Sequence, residues 1–143
     1  MTNPEEAEIS QLLSSSHHIA LVGASNKPER PSYHVMEYLL AKGYDVTPVN
    51  PGLAGQTLLG KTVYARLSDI PHQVDLVDIF REASAAPGIV DEAIAAGANA
   101  VWLQLGMQSP EAEAKARAAG LGFIQNRCTK IEHIRLHGAA SVT

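Results

Sequence analysis

Short runs of apolar residues alternate along the chain with longer segments whose apolar residues recur at helical spacing. The first run covers residues 18–23; it is apolar on both faces and ends at Gly23, as is typical of a buried parallel strand. The next segment has a helical start signal at Pro31 and keeps its apolar residues on one face up to Gly43. This pattern predicts a strand followed by a helix that packs on it.

The same kind of connection recurs later in the chain. Helical segments end in a glycine that leads into an apolar strand at Gly43, Gly97 and Gly120, and glycine accepts the left-handed conformation that ends a helix. The predicted strands after the first are residues 44–50, 74–80, 100–105 and 122–125, with a short edge strand at 62–64. The other predicted helices are residues 4–13, 87–96 and 110–119, the last capped by Ser109.

Strands that alternate with helices predict a doubly wound α/β fold, a Rossmann-like and mostly parallel sheet with helices on both faces. A chain of 143 residues is the size of one domain, so residues 1–143 are predicted to form a single domain. Its N-terminal helix lies within residues 1–16, and residues 138–143 are expected to be a loose tail.

Composition limits the cellular compartments and the classes of partner that we expect for this protein. The net charge is −4, which argues against a general nucleic-acid surface or a surface for anionic membranes. No apolar run approaches the roughly 18–20 residues of a membrane span. The single cysteine, Cys128, cannot form an internal disulfide, and no signal peptide pattern is present. We therefore expect a cytoplasmic protein with no nucleic-acid or membrane partner, whose protein partner or oligomeric state the sequence leaves open.

The loop after the first strand is the best candidate for a phosphate site. Ligands of open α/β sheets bind at the carboxyl ends of the strands, and this loop runs from Gly23 into the start of a helix. A helix N-terminus offers free backbone N–H groups and the positive end of its dipole to an anion. Ser25 and Ser32 add hydroxyl groups, while Lys27 and Arg30 add positive charge.

A nicotinamide dinucleotide is the second interpretation of this loop, in an NAD(P)-binding oxidoreductase or accessory protein. Two features weaken it: the loop has one glycine instead of the G-x-G-x-x-G pattern, and the second strand ends in Asn50-Pro51 where that fingerprint has an acid. A tight strand-to-helix turn without a ligand is a further interpretation of the lone glycine.

Six short motifs follow one another along residues 9–136: Val22-Gly23-Ala24-Ser25, Arg30-Pro31-Ser32-Tyr33, Val49-Asn50-Pro51, Val77-Asp78-Ile79-Phe80-Arg81, Trp102-Leu103-Gln104-Leu105-Gly106 and Arg127-Cys128. In this order they resemble the small CoA-binding domain proteins of bacteria. That family shares the fold of the N-terminal CoA-binding domain of the succinyl-CoA synthetase alpha subunit.

The resemblance implies a set of residues that hold coenzyme A. The CoA diphosphate would lie at Gly23, Ala24, Ser25, Asn26, Lys27, Arg30, Pro31 and Ser32. The adenosine part would lie against Val49, Asn50 and Pro51, and the pantetheine arm between Phe80, Arg81, Gln104, Leu105 and Gly106. The chain departs from the family at Gly52-Leu53, where members often carry a basic residue, so recognition of the 3′-phosphate falls to Arg81, Lys27 or Arg30.

Catalytic groups are not evident in the sequence. No Ser-His-Asp set or nucleophile elbow is found, and Cys128 with Glu132 and His133 lacks the remaining ligands of a metal site. Cys128 would face the thiol end of CoA and exchange disulfides with it, or else be a small buried hydrophobic residue. The synthetase's phosphorylated histidine belongs to a second domain, so ligase activity is not expected. The expectation is a non-catalytic module or sensor that binds CoA or an acyl-CoA.

Overall fold

The computed structural model describes residues 4–137 of the chain; the predicted loose tail at 138–143 lies outside the described residues. The helices are α1 (Pro4–Ser15), α2 (Pro31–Ala41), α3 (Ala86–Ala95), α4 (Pro110–Ala118) and α5 (Thr129–His137). The strands are β1 (His18–Val22), β2 (Asp45–Val49), β3 (Thr57–Leu58), β4 (Lys61–Thr62), β5 (Leu76–Ile79), β6 (Ala100–Leu103) and β7 (Gly122–Ile124).

A five-stranded parallel sheet with the order β2-β1-β5-β6-β7 forms the centre of the molecule. The chain leaves β1 toward β2 on one side and later returns to β5 on the other. The strand order therefore changes direction beside β1, which is where doubly wound sheets bind their ligands. The predicted Rossmann-like α/β fold is confirmed.

Both faces of the sheet are covered by helices. Alternate strand residues such as Val77 and Val101 point to the face that packs on α3 and α4. Their neighbours, among them Leu76 and Trp102, point to the face that packs on α1, α2 and α5. Because the central strands β1, β5 and β6 are buried on both faces, their residues are mostly apolar rather than alternating, with Asp78 on β5 as a buried polar exception. Within residues 4–137, no helix has the length and apolar character that crossing a bilayer requires.

One sequence prediction of secondary structure was wrong, and one helix was not predicted. The segment 62–64 does not form an edge strand; β4 pairs antiparallel with β3 in a separate hairpin, and Tyr64 makes one isolated bridge to Val49. Helix α5 was missed because its pattern is inverted: Glu132 and His133 are buried, whereas Ile131 and Ile134 are about half exposed. Ion pairs of Glu132 with Arg135 and Arg127 replace the apolar contacts of an ordinary inner face.

Candidate functional site

A crevice of about 1020 Å³ opens at the carboxyl edge of the sheet. Its walls come from the segments that follow β1, β2, β5 and β6, together with the first turn of α2, residues of α3, and Cys128 and Ile131 at the start of α5. The volume is at the upper end of the roughly 300–1,000 Å³ of small-molecule sites, so an elongated ligand of cofactor size fits.

Most of the residues that the sequence singles out line this crevice. From the loop and helix after β1 these are Gly23, Ala24, Ser25, Lys27, Arg30, Pro31 and Ser32. From the later strand ends they are Val49, Asn50, Pro51, Phe80, Arg81, Gln104 and Leu105, and Cys128 joins them. Asn26 and Gly106 are not among the lining residues: Asn26 is exposed in the loop, and the Gly106 N–H donates to Asn126 Oδ1 at 2.8 Å.

Gly23 lets the strand-end loops approach one another. Its φ is +92°, and a Cβ atom there would lie 2.2 Å from the Phe80 carbonyl oxygen. The Gly23 and Ala24 N–H groups both donate to the Val49 carbonyl, at 3.0 and 3.3 Å. Two backbone donors that the sequence assigned to a phosphate are thus used to join the ends of β1 and β2. A residue with a side chain would push these segments apart.

The N-terminus of α2 faces the crevice without a side-chain cap. Arg30 occupies the cap position but makes no capping hydrogen bond, and Pro31 begins the helix. Within the described part of the chain, no hydrogen bond uses the backbone N–H of Ser25, Asn26 or Ser32. The open end of the dipole and these donors together favour an anion beside the first turn.

Asn50 links the turn that follows β2 to the loop that follows β1. Its Nδ2 donates to the Ala24 carbonyl at 2.7 Å, and its Oδ1 accepts the Gly52 N–H at 2.8 Å. The Asn50 N–H donates to the Tyr64 carbonyl at 2.9 Å. Asn50 therefore shapes the rim of the crevice through contacts within the protein.

The crevice concentrates positive charge in a protein whose net charge is −4. Of the residues in 4–137 that line it, Lys27, Arg30, Arg66 and Arg81 are basic and Glu92 is the one carboxylate. Arg81 lies 3.5 Å from Glu82, a contact on the surface rather than a bond to the buried Asp78. Clustered cations in a concave site raise the local concentration of an anionic ligand.

Arg66 is a crevice residue that the sequence analysis missed. The bridge between Val49 and Tyr64 carries the segment after β4 back to the end of β2, and this places Arg66 on the same rim as Pro51 and Gly52. Its side chain is 71% exposed, and its guanidinium lies 4.0 Å from Asp69. The sequence holds no signal for this placement, because it depends on the β3–β4 hairpin returning the chain to the sheet.

Beneath the crevice floor lies a buried polar network on β5, β6 and α5. Gln104 Nε2 donates to Asp78 Oδ1 at 2.5 Å and to Thr129 Oγ1 at 3.1 Å, and Thr129 Oγ1 donates to Asp78 Oδ2 at 2.9 Å. Burial of the carboxyl group raises the pKa of Asp78 from 3.8 to about 7, although both hydrogen bonds oppose this shift. Both of these Gln104 bonds use Nε2, and Gln104 is also one of the residues that line the crevice.

The far end of the crevice is apolar and ends at a thiol. Phe80 is half-buried, Leu105 is 65% exposed and Ile131 is about half exposed, so a ligand arm that covered them would bury apolar surface. Cys128 is half-buried beside them and precedes α5. Trp102, in contrast, is fully buried and donates its Nε1–H to the Arg127 carbonyl at 2.7 Å, so it belongs to the core.

A family model for the CoA binding domain matches residues 17–134 of the chain. The uncharacterized protein YneT of Bacillus subtilis is 34% identical over 133 residues, which are 93% of this chain and 97% of that protein. A hypothetical protein of Pyrococcus horikoshii has a similar structure, with a TM-score of 0.89, 42% identity, and coverage of 96% of this chain and 99% of that one.

A larger enzyme contains a similar domain. The dinucleotide-forming acetyl-coenzyme A synthetase 1 of Candidatus Korarchaeum cryptofilum matches with a TM-score of 0.67 and 25% identity. The match covers 82% of this chain and 28% of the synthetase chain. The chain thus corresponds to about a quarter of that enzyme.

Proposed function

The chain belongs to the CoA-binding domain family, and from that membership we propose that it binds CoA or an acyl-CoA in the crevice at the carboxyl edge of its sheet. The observation that carries this proposal is the uncapped N-terminus of α2, with unpaired N–H groups and clustered cations around it. The CoA diphosphate lies there, between Ser25 and Ser32, where helix dipole, hydroxyl groups and Lys27 or Arg30 neutralise it.

The adenosine part lies on the rim formed by Val49, Asn50 and Pro51. Arg66 supports recognition of the 3′-phosphate, because it stands on this rim where family members often carry a basic residue after the Asn-Pro turn. A guanidinium can bind two phosphate oxygens at once, which suits a terminal phosphate monoester. Arg66 thereby joins Arg81, Lys27 and Arg30 as a candidate for that group, and these three also line the crevice.

The pantetheine arm extends along Phe80 and Leu105 toward Cys128. Gln104 Oε1 is positioned to accept an amide N–H of the arm, because Asp78 and Thr129 hold the opposite side of the Gln104 amide. Such a fixed acceptor distinguishes a pantetheine amide from a purely apolar chain.

Binding proceeds without turnover in this proposal, as in a carrier or a CoA sensor. Among the described residues that line the crevice there is no histidine, and Glu92 is the one lining carboxylate. A nucleophile paired with a base, which acyl transfer needs, is therefore missing from this wall. A CoA sensor that acts through oligomerisation would change its oligomeric state when CoA binds. If CoA does not alter the elution volume in size-exclusion chromatography, this kind of sensor is excluded.

Calorimetry with CoA, dephospho-CoA, ADP and NAD at one salt concentration tests the proposal. CoA is expected to bind tightest, and Arg66→Gln is expected to lose about fivefold in CoA affinity while dephospho-CoA affinity stays unchanged. Lys115→Gln, which removes one positive charge on α4 away from the crevice, is the matched control. If Arg66→Gln loses equal affinity for CoA and for dephospho-CoA, the assignment of Arg66 to the 3′-phosphate is wrong. NAD binding without CoA binding would refute the function itself.

Cys128 is proposed to form a mixed disulfide with oxidised CoA. Its thiolate attacks one sulfur of CoA disulfide, a new S–S bond joins protein and CoA, and one CoA thiolate leaves, so no further oxidant is consumed. Mass spectrometry after incubation with CoA disulfide should show one CoA adduct per chain that dithiothreitol removes. Cys128→Ser should show none, and a wild-type protein without an adduct would refute this step.

A further inference from the structure

At the opposite edge of the sheet from the crevice, we propose a binding site for a divalent transition metal, Zn²⁺ in the test below, formed by His18, Asp45 and His72. His18 and Asp45 are the first residues of β1 and β2 and are direct partners in the parallel ladder. His72 comes from the segment before β5, the strand on the other side of β1. Three separate chain segments thus meet at one point, about one strand length away from the proposed CoA site.

The ligand atoms are close enough for one ion. One ligand atom from each of the three side chains lies within 4.8 Å of the other two, and His18 Nδ1 lies 3.0 Å from Asp45 Oδ2. Tetrahedral zinc with bonds of about 2.1 Å separates its ligand atoms by about 3.4 Å, so small side-chain rotations suffice. The His18 and His72 rings lie next to each other, with centroids 4.8 Å apart and an interplanar angle of 41°.

Hydrogen bonds already orient two of the three ligands. The Nδ1 of His72 lies 2.9 Å from the Gln73 carbonyl, so this nitrogen carries the proton and Nε2 has the lone pair; the Thr47 hydroxyl lies 3.5 Å from Nε2 and would give way to a metal. Asp45 Oδ1 accepts from Lys61 Nζ at 2.9 Å, which leaves Oδ2 directed at His18. A backbone carbonyl that accepts from a ligand histidine, and a hydrogen bond to the second oxygen of a ligand carboxylate, are usual supports of protein metal sites.

The donor set selects the class of metal. Two imidazole nitrogens and one carboxylate oxygen suit Zn²⁺ and its neighbours in the transition series, whereas Mg²⁺ and Ca²⁺ prefer oxygen ligands alone. His72 is exposed, and His18 and Asp45 are about one-third exposed, so water completes the coordination. A bound ion would join β1, β2 and the segment before β5, and it would act on stability rather than on the crevice.

Isothermal titration of the untagged protein with Zn²⁺ at neutral pH tests this site. The wild-type chain is expected to bind one Zn²⁺ at micromolar concentrations and to show a higher Tm when loaded. His72→Ala, at an exposed position, should weaken Zn²⁺ binding roughly tenfold or more and abolish the rise in Tm. Asp45→Asn should act in the same direction.

Two control variants replace residues that could bind Zn²⁺ but do not belong to the proposed site. His34→Ala removes an exposed histidine on α2, and Cys128→Ser removes the thiol in the crevice; both should bind Zn²⁺ as the wild type does. Absence of stoichiometric binding, an unchanged affinity in His72→Ala, or a loss in Cys128→Ser would each overturn the proposal. CoA affinity measured on His72→Ala should equal that of the wild type, which keeps this result separate from the function of the crevice.

Discussion

Replacing Asp78 with asparagine is expected to change how the stability of the protein depends on pH. Asp78 is fully buried, and burial raises the pKa of its carboxyl group from 3.8 to about 7. Between these values the folded chain keeps a proton that the unfolded chain has released. The free energy of unfolding therefore falls as the pH rises through this window, and the loss is complete above the folded pKa.

The size of the effect follows from the shift. About three pKa units at about 1.4 kcal/mol each correspond to about 4 kcal/mol, of which about 3 kcal/mol is lost between pH 4.5 and pH 8. Asparagine has the same shape and no charge, so it removes this loss. One of its amide N–H groups lacks an acceptor in the network, and this costs about 1–3 kcal/mol at every pH.

Urea unfolding of the wild type and Asp78→Asn at pH 4.5 and pH 8 measures the difference directly. The variant should be less stable than the wild type at pH 4.5 and should gain about 3 kcal/mol relative to it at pH 8. Other titrating groups cancel in this comparison. Asp91→Asn, which removes an exposed carboxylate on α3, is the control and should change the stability little. Parallel stability profiles for wild type and Asp78→Asn would refute the reasoning.

Four further substitutions test the packing and the hydrogen bonds of the fold. Gly23→Ala should lower the free energy of unfolding by about 2–4 kcal/mol, because backbone strain adds to a collision with the Phe80 carbonyl. Gly120→Ala, with φ +80° and open space around it, should lower it by only about 1–2 kcal/mol. Chemical denaturation measures both losses. Ser109→Ala should cost about 1 kcal/mol by the same assay, since its hydroxyl accepts the Ala112 N–H at 3.1 Å, and a loss below measurement would contradict this. Glu8→Gln should destabilise the protein by about 1 kcal/mol at neutral pH. The hydrogen bonds from Arg117 lower the pKa of Glu8, so the gap to the wild type should close as the pH falls through that lowered pKa; a gap that persists in acid would contradict this.

The fold was predictable because its signals are local. The apolar run of β1, the glycine that ends it and the cap of α4 at Ser109 each lie within a few neighbouring residues. Helix α5 was not predictable in this way, because its buried face carries Glu132 and His133. Their burial is explained by Arg135, Arg127 and the Tyr38 hydroxyl, which the sequence gives no means of placing there.

As with the fold, the parts of the candidate site that depend on neighbouring residues could be predicted from the sequence. Residues that follow directly after a strand, such as Ser25, Asn50 and Phe80, were found because the carboxyl ends of parallel strands meet at one edge. Arg66 and the Asp78 network were missed, since both depend on contacts between segments far apart in the chain. The sequence also did not show that the Gly23 N–H is already used by the Val49 carbonyl.

The polar inner face of α5 should make this helix more mobile than the helices with an apolar inner face. Ion pairs from Glu5 to Arg127 and from Glu6 to Arg135 connect α1 to the α5 region, and such partly exposed pairs hold less firmly than a buried apolar contact. We therefore expect amide hydrogens of α5 to exchange with solvent faster than those of α3, whose inner face is apolar. Because Cys128 lines the crevice and is followed directly by the first residue of α5, Thr129, an occupied crevice should slow that exchange, and α5 would report ligand binding by its rigidity.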